Sequence, residues 1–120
     1  MKNCLTNKKF ACSNGEQTRD FIFIDDVVQL TMMILNSKVS IGKIYNIGTG
    51  IKTTVQQVLN KLINNYGKEI KVEYSNPTPG DQMGIRADMS LIKNDFEIGE
   101  LISLDNGLET MISWAINEIK

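Results

Sequence analysis

Residues 19–36 read RDFIFIDDVVQLTMMILN. An Arg-Asp pair stands before the apolar run Phe21 to Ile24, and two aspartates separate that run from a second apolar stretch. The short continuous run predicts a strand buried on both faces. Asp25 is a good N-cap, so a helix is predicted from Asp26 to about Asn36. This helix is unusual, because from Val27 to Asn36 seven of ten residues are apolar and no clean polar face remains. A helix apolar nearly all round needs cover on more than one side. Either it is a central core helix, or one side faces a second domain. Arg19 at the strand mouth is equally open at this point: a solvated edge charge, or a hook for phosphate.

The same alternation of strand and helix continues along the chain. Asn14-Gly15 is a turn signal, with a short strand before it around Phe10-Ala11-Cys12. Ser37 to Gly42 is a loop, and Lys43 to Ile47 a second strand closed by Gly48-Thr49-Gly50. Thr53 or Thr54 caps a helix whose stripe is Val55, Val58, Leu59, Leu62, Ile63 and Tyr66, and Gly67 ends it. Glu69 to Tyr74 alternates charged and apolar residues, as a half-exposed strand does. Asn76 to Gly84 is a polar loop with both prolines, and Ile85 to Ala87 is short and extended. Asp88 caps a helix to about Phe96. Asp105 caps the last helix, with Leu108, Met111, Ile112, Ala115, Ile116 and Ile119 on its apolar face. The class is therefore α/β, with an α+β tendency.

The chain has 120 residues, enough for one domain with a real core. Thirteen basic and fourteen acidic residues leave a net charge of -1, which argues against nucleic acid or a membrane surface as partner. No apolar run approaches the ~20 residues of a membrane span, and the N-terminus lacks the apolar core of a signal peptide. Cys4 and Cys12 fit a pair of free thiols in the cytoplasm better than a disulfide. Two cysteines and no histidine supply too few ligands for a metal. Without histidine, acid/base chemistry would fall to carboxylates, lysines or tyrosines.

Four segments, GEQTRDFIFIDDV, IYNIGTG before a Thr-capped helix, TPGDQMGIRADMSLIKNDFEIG and SLDNGLETMISWA, stand in this order over some hundred residues. In that order and spacing they resemble the C-terminal portion of the extended short-chain dehydrogenase/reductases. These are the NAD- or NADP-dependent nucleotide-sugar epimerases and dehydratases of carbohydrate metabolism, among them isomerases such as UDP-glucose 4-epimerase. The resemblance covers about Asn3 to Trp114. It implies a dinucleotide-binding sheet with a GxxGxxG turn, and a YxxxK pair whose tyrosine is the acid/base. Neither motif is present here: Gly42, Gly48 and Gly50 have the wrong spacing, and no lysine follows Tyr45, Tyr66 or Tyr74 at the fourth position. Met1 falls where the family is mid-domain. The expectation is a single substrate-binding C-terminal portion over 1–120, truncated, without the N-terminal dinucleotide-binding domain, inactive alone and binding no cofactor alone. The alternatives are a non-catalytic nucleotide-binding module, or a fragment or interaction subunit that completes a partner carrying the dinucleotide fold.

The resemblance also implies roles for single residues. Arg19 matches the family arginine on the diphosphate of the nucleotide sugar, a UDP-sugar first of all; a planar guanidinium binds phosphate oxygens bidentately. The plainer possibility is an ion pair with Asp20 or Asp25. Gln17 would share the Arg19 face of an extended segment, as a donor to substrate or a solvated turn residue. Asp81 matches the acid that accepts from the ribose hydroxyls, or is a Pro-Gly-Asp turn residue. A second family arginine has no counterpart at Asn76 to Pro79; Arg86 substitutes for it, or is a strand-edge residue. Asn46, Gly48 and Gly50 read as structural, Asp25, Asp26 and Asp88 as helix caps, and Trp114, Met32 and Met33 as core. The family's leucine-glycine-tryptophan-x-proline pattern is replaced by Phe96-Glu97-Ile98-Gly99-Glu100.

Overall fold

The computed structural model describes residues 10–67, 70–77, 79–80 and 82–118. Among the described residues, short strands and helices follow one another in the order β1 (Phe10–Cys12), β2 (Thr18–Arg19), α1 (Ile24–Leu35), β3 (Thr53–Thr54), α2 (Val55–Tyr66), β4 (Val72–Tyr74), α3 (Ser90–Asp95) and α4 (Leu104–Glu118). A 3-10 turn, Lys38–Ser40, follows α1. β1 pairs in parallel with β4, Phe10 opposite Val72 and Cys12 opposite Tyr74. β2 pairs antiparallel with β3, Thr18 opposite Thr54 and Arg19 opposite Thr53. A parallel bridge joins Thr18 to Gly84 on the other edge of β2. The mixed α/β class follows, and among the described residues no helix is long and apolar enough to cross a membrane.

Two predicted strands are corrected. Phe21 to Phe23 and Lys43 to Ile47 belong to no ladder among the described residues. A strand is stabilised as half of a hydrogen-bonded pair, and here these segments lack the other half. Their inward side chains are still used: Ile22, Tyr45 and Ile47 pack on the buried cluster of Leu30, Met89 and Ile92. Ile24 is the first residue of α1, not the last of a strand.

The helix caps are partly as read. Thr54 forms a capping box with Gln57, and Gly67 closes α2 in the left-handed conformation at φ 70°. The amide groups of Val55 and Gln56 donate to the carbonyls of Gln17 and Gly15, so the turn at 14–17 completes the N-terminus of α2. Asp25 is not the cap of α1. Phe23 takes that position without a side-chain bond, and Asp25 and Asp26 lie in the first turn, where negative charge suits the helix dipole. Asp26 is buried, and its Oδ2 accepts from the amide of Ile102 at 2.9 Å. At α3 the cap position falls on Met89, while Asp88 Oδ1 accepts from the Ser90 amide at 2.9 Å. At α4 the hydroxyl of Ser103 accepts from Asn106 N at 3.2 Å, and Asp105 instead pairs with Lys61 of α2 at 2.6 Å.

α2 and α4 meet through Leu62 and Leu108, with Val58, Ile70 and Leu104 around them. A Cβ at Gly107 would lie 2.9 Å from the Phe23 ring, so the glycine lets that ring seat against α4. The slab measures 50 × 37 × 18 Å with a radius of gyration of 17.1 Å, against about 14 Å for a compact chain of this length. So thin a body cannot cover all its apolar side chains. Trp114 is 62% exposed and Met32 52%, which corrects their assignment to the core; Met33 does pack there. Ile119 and Glu69 lie outside the described residues.

Candidate functional site

Arg19 ends β2, and its position is set by both neighbours of that strand. Thr18 N donates to Met83 O at 2.9 Å, and Ile85 N to Thr18 O at 3.3 Å. The Arg19 side chain lies along this seam: Nη1 donates to the carbonyls of Thr18 at 2.8 Å and Gln82 at 3.0 Å. The arginine is thus drawn against the loop that carries Asp81. Asp81 itself lies outside the described residues. Neither Asp20 nor Asp25 pairs with Arg19 among the described residues. Gln17 is only 6% exposed, and its Nε2 donates to Ser13 Oγ at 2.7 Å. It is built into the turn below β2 rather than set on the surface beside Arg19.

Asp20 is the residue whose importance the sequence did not disclose. Its carboxylate accepts from Thr49 N at 2.8 Å, the Thr49 hydroxyl, Gly50 N at 2.9 Å and Ala87 N at 3.1 Å. Burial pushes its pKa up, but the bonds from Thr49, Gly50 and Ala87 outweigh this and hold it below the ordinary carboxylate value. Gly48 lies in the same knot. A Cβ there would sit 2.6 Å from both Asp20 Oδ2 and Ala87 Cβ, so only glycine fits. The signal that could have found this is the pairing of a buried-side acid with a Gly-Thr-Gly turn rich in backbone donors.

Arg86 is exposed and borders a cleft of about 390 Å³ with Asp20, Asn46, Ile85 and Asp88. Asp88 is held below its ordinary value by bonds from the Ser90 hydroxyl and amide, with the Arg86 charge contributing. Asn46 Nδ2 donates to the carbonyl of Asp88 at 3.4 Å. Arg19 and Arg86 therefore stand on two adjoining segments, with the loop of Asp81 between them in sequence.

These residues do not fit a dinucleotide pyrophosphate. Such a site needs free amide groups on a glycine turn and at a helix N-terminus. The Thr49 and Gly50 amides are held by Asp20, and those of Val55, Gln56 and Gln57 by Gln17, Gly15 and Thr54. The described residues therefore leave neither amide cluster open to a dinucleotide. Among them no cluster of three metal-ligating side chains occurs either.

The sequence profile of the NAD dependent epimerase/dehydratase family matches residues 1–48. The chain is 32% identical over 106 residues to a putative UDP-glucose 4-epimerase of Methanocaldococcus jannaschii, covering 87% of this chain and 33% of that protein. It is 31% identical to a UDP-glucuronate 4-epimerase of Thermodesulfobacterium geofontis, over 89% of this chain and 33% of the other. The structure of UDP-glucuronic acid 4-epimerase from Bacillus cereus, solved with UDP-glucuronic acid and NAD, superposes with a TM-score of 0.86 at 28% identity, covering 99% of this chain and 38% of that one. UDP-glucose 4-epimerase from Thermotoga maritima, solved with UDP-glucose, gives 0.81 at 25% identity, with 99% and 38% covered. The chain spans about a third of the length of the curated relatives it matches. In sequence and fold the chain resembles the NAD-dependent epimerases and dehydratases of the extended short-chain dehydrogenase/reductases, and the resemblance lies in the C-terminal part of those proteins.

Proposed function

We propose that the chain is the substrate-binding portion of a nucleotide-sugar epimerase or dehydratase, taking the diphosphate of a UDP-sugar at Arg19. The observation that carries this is the placement of Arg19 at the end of β2, bonded to Gln82 O beside the loop of Asp81. An arginine held by two backbone carbonyls, with no carboxylate of its own turn paired to it, keeps its charge available to an anion. Arg86 is a secondary contact and Asp81 the ribose acceptor. Gln17 acts at most by shaping the turn, since its amide is engaged by Ser13. The likeness to epimerases solved with UDP-sugars supports the ligand class. NAD or NADP belongs to the intact family enzyme, and on this reading the 120 residues alone bind none and turn over no sugar. The setting is cytoplasmic.

The second reading, a subunit that completes a partner with the dinucleotide fold, is favoured by one feature. Ile24, Val28, Met32 and Leu35 form an exposed stripe along α1. At Ile24 the stripe enters an apolar groove of about 320 Å³ lined also by Phe21, Phe23, Leu104 and Met111. Apolar surface this continuous marks an interaction face.

Titration with UDP followed by NMR tests the main proposal. A hydrogen bond to a charged group contributes ~1.5–3 kcal/mol, roughly a ten- to hundredfold change in affinity. Arg19→Ala removes detectable binding and Arg86→Ala weakens it less. Equal binding by the wild type and Arg19→Ala overturns it.

A further inference from the structure

Helix α1 carries charge only at its start. Asp25 and Asp26 lie in its first turn, no basic residue lies in its last, and nothing from Val27 to Asn36 is charged. Its exposed stripe of Ile24, Val28, Met32 and Leu35 therefore neither repels a second apolar helix nor asks it for a counter-charge. The two ends of this face differ. At the N-terminal end an apolar groove of about 320 Å³ opens beside Ile24, walled by Phe21, Leu104 and Met111. Beyond the C-terminal end, in and just after the 3-10 turn Lys38–Ser40, Val39 is 50% and Ile41 77% exposed. A hole thus stands at one end and apolar knobs at the other. Charge follows the same polarity: Asp25 is exposed at the start and Lys38 past the end, and neither is in an ion pair among the described residues.

We infer that this face docks a second copy of the chain, α1 against α1, antiparallel about a two-fold axis. A surface with a hole at one end and knobs at the other matches itself only when turned end for end. Parallel stacking would set knob on knob and Asp25 beside Asp25. In the antiparallel contact each interaction forms twice, as in any two-fold interface, and each helix start lies by the other's end, which suits the dipoles. With Asp25 facing Lys38 of the second copy, Val28 falls opposite Leu35 and Thr31 opposite Met32, closing the uncharged middle. Val39 and Ile41 of the second copy then come to the groove beside Ile24. One helix face and one groove make a contact at the small end of specific interfaces, about 1,200 Å² in total, so the dimer dissociates on dilution. None of this depends on the assignment of Arg19 to UDP.

The test is sedimentation of the 120-residue chain over a range of concentrations, with Asp25→Lys, Lys38→Glu and both together. The wild type gives a monomer–dimer equilibrium. Each single reversal weakens dimerisation about tenfold, because two facing pairs become repulsive, and the double reversal restores it. Ile41→Ser weakens the dimer without changing the salt dependence, since it removes a knob and no charge. Cross-linking checks the register without disturbing charge balance in the wild-type contact: with Cys4 and Cys12 replaced by serine, a mixture of Asp25→Cys and Lys38→Cys chains forms a disulfide-linked pair, and neither variant alone does. A monomer at every concentration overturns the inference and leaves the face to a partner with the dinucleotide fold. Association that grows past the dimer, single reversals whose effects simply add in the double variant, or cross-links within one variant alone overturn the antiparallel two-fold contact.

Discussion

The hydroxyl of Tyr45 donates to Asp95 Oδ2 at 2.7 Å, and Lys43 Nζ lies 2.6 Å from the same oxygen. Asp95 closes α3, and Tyr45 stands in the unpaired segment 43–47, so one carboxylate ties that segment to the helix. The Tyr45 ring meets Phe96 edge-on at 5.7 Å, which fixes its direction. Removal from water, the bond to Asp95 and the charge of Asp95 push the tyrosine up to about 12. This is the opposite of an activated acid/base, so Tyr45 serves structure. A folded pKa raised above the ordinary value near 10 adds stability that is complete below pH 10 and lost as pH rises through about 12. Phenolate absorbance is expected to show a late step from Tyr45, and Asp95→Asn to bring it down. A late step that Asp95→Asn leaves in place would remove Tyr45 from this role.

Gly48 and Gly99 separate packing from backbone freedom. Neither has a positive φ. A Cβ at Gly48 would lie 2.6 Å from two atoms, whereas at Gly99 nothing lies within 4 Å. Gly48→Ala is expected to destabilise by about 1–3 kcal/mol, the usual effect of overpacking. Gly99→Ala is expected to be neutral or to stabilise by up to about 1 kcal/mol, through the unfolded chain. Urea midpoints of the two variants decide it; equal destabilisation would contradict the close approach at Gly48.

Much of this was legible in the sequence, and the gaps have physical causes. α2 was readable because its stripe, its capping threonine and its terminal glycine all act within a few residues of one another. The strands at Phe21 to Ile24 and Lys43 to Ile47 were not, since an apolar pattern reports inward side chains but not whether a hydrogen-bonding partner is present. Asp25 and Asp105 looked like caps by type, yet Phe23 and Ser103 stand at those positions; tertiary contacts, Asp26 with Ile102 and Asp105 with Lys61, decided the helix starts. Arg19 was singled out by its motif, but the knot of Asp20 joins residues far apart in the chain and leaves no local periodicity.

Acid should expose that knot. Asp20, Asp88 and Asp95 are all held below their ordinary value. A depressed carboxylate contributes stability that is present above its unfolded pKa near 3.8 and lost as pH falls through the folded value. The urea midpoint of the wild type is therefore expected to drop as pH falls below about 4. Asp20→Ala starts less stable and drops less steeply. Parallel curves for the two proteins would mean that Asp20 titrates no differently when folded.

Cofactor binding offers a separate check. The amides at Thr49 and Gly50 and at the start of α2 are already engaged. Calorimetry of the 120-residue chain with NAD(H) is expected to show no micromolar affinity, while UDP still perturbs residues near Arg19. Tight NAD(H) binding would contradict both the blocked amides and the proposed division of labour.

The exposed side of α1 gives the last prediction. Leu30 is almost wholly buried on one side, while Ile24, Val28, Met32 and Leu35 recur every three or four residues on the other and are half or more exposed. That spacing makes a single stripe, and water has no favourable exchange for it. The isolated chain is therefore expected to self-associate or to bind a hydrophobic dye, the groove beside Ile24 extending the same surface. Val28→Glu with Met32→Lys places opposite charges four residues apart on the helix, which also supports it by a few tenths of a kcal/mol, about 0.2–0.5. The pair should disperse the oligomer and abolish dye binding without lowering the urea midpoint. Leu30→Ala, on the buried side, should instead lose about 2–5 kcal/mol of stability. A wild-type chain that sediments as a monomer and binds no dye would show that this face is already satisfied, and a double variant that unfolds would show that the stripe is packed within the chain itself.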